Sequence, residues 1–177
     1  NSKNKTSISK KDSATNDFVS GAHLILLNSE NQQIKEWTTT NEEYIIEGLK
    51  EGTYTIKEEK APSGYILNNN SETFEITANQ TENKKITLYN TKKQIVINKV
   101  DKETKKPIEG VKLQLLDNND QVIDTFITKE TPYTVSKLKE GTYKIKELES
   151  KKGYTLDKKI TTFTVDSNTK NLSLTLE

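Results

Sequence analysis

Three residues able to react with one another sit where apolar side chains belong: Lys10, Glu58 and Asn90. Side chains of an extended strand alternate between its faces. By that rule Lys10 shares a face with Ile8, Glu58 with Tyr54 and Ile56, and Asn90 with Ile86 and Leu88. Breaks of this kind cluster where function overrides packing. An unpaired buried carboxylate costs several kcal/mol or loses its charge, so Glu58 needs a partner. A lysine amine becomes a nucleophile once neutral, and desolvation favours the neutral form. A carboxamide is a poor electrophile until its oxygen is polarised. A buried carboxyl can give that oxygen a proton and then carry protons to the departing ammonia. The expected product is an isopeptide bond between Lys10 and Asn90, made once within the chain, with Glu58 as its acid–base group. Lys11 is the alternative amine.

These residues must be held by strands, and the strands are repeated. Leu49-Lys50-Glu51-Gly52-Thr53-Tyr54 recurs word for word at Leu138-Lys139-Glu140-Gly141-Thr142-Tyr143, and Ile-Lys-Glu follows at 56–58 and 145–147. The offset of 89 residues holds up to the turn before the last strand and makes Lys99 and Glu147 the counterparts of Lys10 and Glu58. Strands are expected at 6–12, 22–28, 34–38, 43–46, 52–59, 72–77 and 84–90, with polar residues 1–5 frayed and APSGY, 61–65, a loop. The second unit repeats them from 94–101 to 171–177. About seven strands each at these turn spacings predict an all-β chain of two tandem β-sandwiches. The domains are 1–91 and 92–177, joined by a segment, 91–94, too short for free tumbling.

In the second unit, aligning Leu174 and Leu176 with Ile86 and Leu88 needs one deletion before the last strand. The acceptor expected for Lys99 then falls at position 178, just past the end of the sequence. Asn171 is a poor substitute, being opposite in phase to Leu172 and Leu174. One complete bond is therefore expected within this stretch, Lys10–Asn90, beside a Lys99–Glu147 pair that is unreacted here and expected to be bonded in a longer parent.

Composition narrows the alternatives. Hydrophobic residues make up 31% and charged residues 30%, with a net charge of +1 and both signs interspersed. That argues against a nucleic-acid footprint or a polybasic membrane patch. No apolar run approaches a membrane span, and no signal-peptide pattern is visible, as in a mature protein or a piece of one. With no cysteine, disulfides and thiol catalysis are excluded, so any covalent staple uses other chemistry. His23 is phased to the solvent face, and Trp37 reads as a packing residue. Asp117-Asn118-Asn119-Asp120 reads as a hairpin turn, since it lacks the spaced ligands of a calcium loop. No cofactor or metal is expected.

The chain resembles two tandem Cna B-type repeats of Gram-positive surface adhesins and pilins. The resemblance rests on Lys10-Lys11-Asp12 and Lys99-Val100-Asp101, on Gly-Ala (21–22) and Gly-Val (110–111) before the second strand, on the repeated GTYxIKE, and on APSGY and Asn90. It covers nearly the whole chain. It implies prealbumin-like or inverse-immunoglobulin sandwiches, a Lys–Asn isopeptide bond with Glu58 or Glu147 as the catalytic acid, and a stalk role in an extracellular, cell-wall-anchored protein. The expected partners are neighbouring domains of that protein, with the segment itself monomeric. The competing reading is a module that binds a host matrix protein or glycan; the loops show no aromatic or arginine cluster to support it. An enzyme acting on an external substrate is disfavoured by the lone His23. The plain readings are a snorkelling strand-end lysine, an exposed ion pair at each Glu and a turn residue at Asn90.

Overall fold

The computed structural model describes residues 3–177. Its elements are β1 (Lys5–Asp12), β2 (His23–Leu27), β3 (Gln33–Thr38), β4 (Tyr44–Glu47), β5 (Gly52–Lys60), β6 (Tyr65–Ile66), β7 (Glu72–Ile76), β8 (Lys84–Lys92), β9 (Gln94–Lys99), β10 (Lys112–Asp117), β11 (Val122–Ile127), β12 (Tyr133–Ser136), β13 (Gly141–Glu149), β14 (Thr161–Val165) and β15 (Asn171–Leu176). The chain is all-β among the described residues, as the alternating pattern predicts. It divides into two compact units, one through Lys92 and the other Lys93–Glu177. The joining segment is shorter than expected, because β8 runs through Lys92 and β9 starts at Gln94. The expected fraying at the start lies outside the described residues for Asn1 and Ser2. It does not hold for Asn4, which donates from Nδ2 to the Leu49 carbonyl at 2.8 Å and accepts Gly48 N–H through its own carbonyl.

The first unit stacks sheet β4-β1-β8-β6 on sheet β3-β2-β5-β7. Between them lie Ile8, Leu24, Leu26, Ile46, Ile56, Ile76 and Leu88, with Trp37 stacked on Tyr44. The second unit stacks β12-β9-β15 on β11-β10-β13-β14 over its own core of Ile95, Ile97, Leu113, Leu115 and Ile145. The first and last strands of each unit are parallel neighbours. Ile8 faces Ile86, Lys10 faces Leu88 and Asp12 faces Asn90. In the second unit Ile97 faces Leu174 and Lys99 faces Leu176. This pairing brings the two ends of each sequence repeat side by side.

Two brackets, unforeseen in the sequence, fix the entry to the second strand of each unit. Thr39 Oγ1 accepts Ala22 N–H at 3.0 Å and donates to the Val19 carbonyl at 2.8 Å. Thr128 repeats this with Val111 N–H at 3.0 Å and the Ile108 carbonyl at 2.7 Å. Gly21 and Gly110 precede those strands at φ +90° and +84°, in the left-handed region that suits a residue without Cβ.

Candidate functional site

Lys10, on β1, has its side chain fully enclosed, as does Glu58 on β5. Lys10 faces inward because it lies in phase with Ile8. Lys11 turns the other way, its Nζ standing 5.1 Å from the centre of the Phe18 ring. Lys10 Nζ lies 3.3 Å from Glu58 Oε1 and 3.3 Å from the Tyr89 carbonyl oxygen. Asn90, on β8 and 1% exposed, donates from Nδ2 to Glu58 Oε2 and to the Ile66 carbonyl, each at 2.9 Å. One carboxylate thus lies between the amine and the amide. Burial lowers the Lys10 pKa, against the opposing pull of the Glu58 charge and hydrogen bond. Asn90 Oδ1 is buried with no hydrogen-bond partner among the described residues.

A second layer holds this group. Asp12, 2% exposed, accepts the N–H groups of Ala14 and Thr15, the Tyr65 hydroxyl at 3.0 Å, and the Lys92 ammonium at 3.3 Å. Burial pushes the Asp12 carboxyl up, but these donors together outweigh it and hold it below the ordinary range. Burial, then the Asp12 partner, push the Tyr65 phenol up to about 12. The stretch expected to be only a loop therefore ends in β6, whose Tyr65 and Ile66 pair with Lys92 and Thr91. Beyond it, Asn68 donates its backbone N–H to Glu58 Oε2 at 2.6 Å. The alternation of strand faces identifies Lys10, Glu58 and Asn90, but it is blind to a loop residue reaching in from outside the sheet.

In the second unit, Lys99 Nζ lies 3.1 Å from Glu147 Oε2, both side chains nearly enclosed. Beyond that ion pair, neither Glu147 oxygen receives a hydrogen bond from the described residues. Asn171 pairs with Gln94 at the far end of β15 and is exposed. Leu176 stands opposite Lys99 as Leu88 stands opposite Lys10, so the level of Asn90 lies two positions beyond Leu176. Tyr154, Leu156 and Asp157 line a cavity of about 550 Å³ beside Lys99 and Glu147.

Elsewhere the sequence readings fall on plain surroundings. His23 lies on the outer face between Glu36 at 3.4 Å and Glu59 at 3.6 Å. Trp37 is buried in the core. Asp117 caps its own hairpin, accepting Asn119 and Gln121 N–H. No group of three or more His, Cys, Asp or Glu able to hold a metal is found among the described residues.

Comparison with known proteins places this geometry in context. The family described as SpaA, prealbumin-like fold domain, matches the chain twice, over residues 4–92 and 93–177. Over 65 residues the sequence is 38% identical to the trypsin-resistant surface T6 protein of Streptococcus pyogenes serotype M6, a match spanning 36% of this chain and 12% of that protein. The Bacillus anthracis TIE protein superposes on 100% of the chain with a TM-score of 0.66 at 22% identity, over 34% of its own length. The C-terminal fragment of the pilus adhesin SpaC from Lactobacillus rhamnosus GG covers 98% of the chain, with 96% of its own length, at a TM-score of 0.55 and 14% identity. At these identities the two structures share the fold.

Proposed function

The chain belongs to the SpaA prealbumin-like fold domain family, and on that premise we propose that it is a structural segment of a Gram-positive surface protein, outside the cell, whose first unit seals itself with a Lys10–Asn90 isopeptide bond. The observation that carries this reading is the single carboxylate shared between amine and amide, Glu58 Oε1 to Lys10 at 3.3 Å and Oε2 to Asn90 at 2.9 Å.

The chemistry follows from those contacts. Glu58 takes a proton from the Lys10 ammonium, a transfer helped by the burial that disfavours the charged amine. The neutral Nζ attacks Cγ of Asn90, and the carbonyl π electrons move to Oδ1. That oxygen makes no hydrogen bond to the described residues in the ground state. Bond formation brings Nδ2 and Nζ onto one carbon beside the carboxyl, so Glu58 gives the proton on Oε1 to Nδ2 and then removes a proton from Nζ. The Cγ–Nδ2 bond breaks, the carbonyl re-forms, and ammonia leaves, carrying off the proton held by Glu58. Lysine ammonium and carboxamide become amide and ammonium, with Glu58 restored. The reaction turns over once and needs no cofactor.

In this reading the bond ties β1 to β8, so that load entering at one and leaving at the other bypasses the chain between them. The partners are neighbouring domains of the same surface protein. Support for the setting comes from the surface T6 protein and pilus adhesin SpaC named above. Lys99 and Glu147 are the corresponding pair of the second unit, whose acceptor is expected two positions beyond Leu176.

Intact mass tests the proposal. Loss of one ammonia lowers the mass by about 17 Da, as addition–elimination at an amide requires. The loss is expected in the parent chain and in Lys11→Ala, and not in Lys10→Ala or Glu58→Ala. A full theoretical mass for the folded parent chain overturns the reading.

A further inference from the structure

We infer that Asn68 is a positioning residue for the Lys10–Asn90 reaction: it fixes the Glu58 carboxylate through its backbone N–H and clamps the loop after β6 onto β8 through its side chain. The inference rests on the function proposed above and names a part of the site outside the lysine, glutamate and asparagine.

Three contacts carry it. The Asn68 N–H meets Glu58 Oε2 at 2.6 Å, a short, charge-assisted hydrogen bond. Asn68 Nδ2 donates at 2.9 Å to the Tyr89 carbonyl, the oxygen that Lys10 Nζ approaches at 3.3 Å. Asn68 Oδ1 accepts Asn70 N–H at 2.9 Å, closing a local turn that orients its own backbone. One residue therefore touches the carboxylate and the carbonyl beside the amine, and stiffens the loop that carries it.

The consequence is directional. Oε2 already accepts two donors, Asn68 N–H and Asn90 Nδ2. Oε1 is approached by the Lys10 ammonium alone, at 3.3 Å, and has no other donor among the described residues. A proton leaving Lys10 therefore arrives on the oxygen that is free to take it, while the other oxygen stays aligned on the departing nitrogen. Without the Asn68 N–H, the carboxylate is held by its two reacting partners alone and is free to rotate about its last bond. Small misplacements of this kind are costly to reaction rates even where the fold is intact.

The second unit shows the contrast. Its residue in the place of Asn68 is Asp157, which lines the cavity beside Lys99 and Glu147. An aspartate side chain there has no N–H to donate to a carbonyl, and Glu147 receives no backbone N–H from the described residues.

The test uses the full chain released from cell-free synthesis, with the ammonia loss followed by intact mass over time. Asn68→Ala keeps the N–H but loses the side-chain bonds to the Tyr89 carbonyl and to Asn70 N–H, and is expected to slow crosslinking about 2- to 10-fold, the range set by losing a neutral hydrogen bond. Asn68→Pro, which lacks the N–H, is expected to be slower still, and Asn69→Ala to match the parent. Thermal unfolding in an Asn90→Ala background, where no bond forms, separates slow chemistry from a damaged fold. In that same background the Asn68 amide proton is read by NMR. It is expected far downfield, moving upfield when Glu58→Gln is added. Parent-like crosslinking rates in Asn68→Ala and Asn68→Pro, or an Asn68 amide proton indifferent to Glu58→Gln, overturn the inference. If the parent chain itself never loses ammonia, the isopeptide reading fails instead, and the NMR signal still decides whether Asn68 holds Glu58.

Discussion

Glu58 and Asn90 are joined across the two sheets by a hydrogen bond of 2.9 Å inside the first unit, with both residues removed from solvent. The second oxygen of the same carboxylate is paired with Lys10. Breaking a buried pair by removing one partner leaves the other charge without compensation. In an Asn90→Ala background, which keeps the amine and the acid unreacted, adding Glu58→Ala is expected to destabilise the unit by about 3–5 kcal/mol. Urea denaturation of the two variants checks this. A change near zero would mean that Lys10 finds water or another acceptor.

The proposed bond would close a loop of roughly 80 residues, which by the chain-entropy account of crosslinks would stabilise by about 4–5 kcal/mol. The parent chain is therefore expected to unfold at a higher temperature than Asn90→Ala. Calorimetry separates the units, since the second should melt at the same temperature in both proteins.

Asp12 and Tyr65 predict opposite limbs of a pH profile. Hydrogen bonds hold the folded Asp12 carboxyl below its ordinary 3.8, so its stabilisation is present above that value and is lost as the pH falls through the lower folded pKa. The Tyr65 phenol rises from 10.0 to about 12, so its stabilisation is present below 10.0 and is lost as the pH climbs towards 12. Denaturation midpoints of the parent, Asp12→Asn and Tyr65→Phe are expected to converge at the acid extreme for the first variant and at the alkaline extreme for the second. A constant gap at every pH would sink the assignment.

Thr39→Val and Thr128→Val remove both bonds of a bracket while keeping the shape. Each leaves a buried N–H unpaired, Ala22 in one unit and Val111 in the other. The expected cost is about 1–3 kcal/mol for each unit. Each variant should lower the melting temperature of its own unit and leave the other unchanged.

Much of the site is legible in the sequence because it violates a simple rule. A strand with Ile8 inward must also turn Lys10 inward, and the same reasoning places Glu58 beside Ile56 and Asn90 beside Leu88. The repeat then makes Lys99 and Glu147 visible as a second copy, and the parallel register of β9 with β15 agrees with one deletion before the last strand. What alternation omits is everything that reaches in from a loop. Asn68 opens a run of three asparagines that reads as solvent-facing polar sequence, and only the folded chain shows its N–H on Glu58. β6 is two residues long, too short to display a period, and Tyr65 announces no partner until Asp12 is placed opposite. The Thr39 bracket is equally silent, since its partners are backbone groups. β1 misleads in another way: Ser7 and Ser9 are buried along with Ile8 and Lys10, because the strand runs between β4 and β8.

The parallel pairing of β1 with β8 also sets an order of events in time. The strand made first must wait for the strand made last, with 79 positions separating Lys10 from its contact at Tyr89. Contacts this distant in sequence form late, since the intervening chain must first be arranged. Until β8 docks, Lys10 has no acceptor, and a truncated or misarranged unit keeps its amine free. The proposed bond across these two strands would therefore act as a proofreading mark: a covalent record, written once, that a unit was assembled to its end.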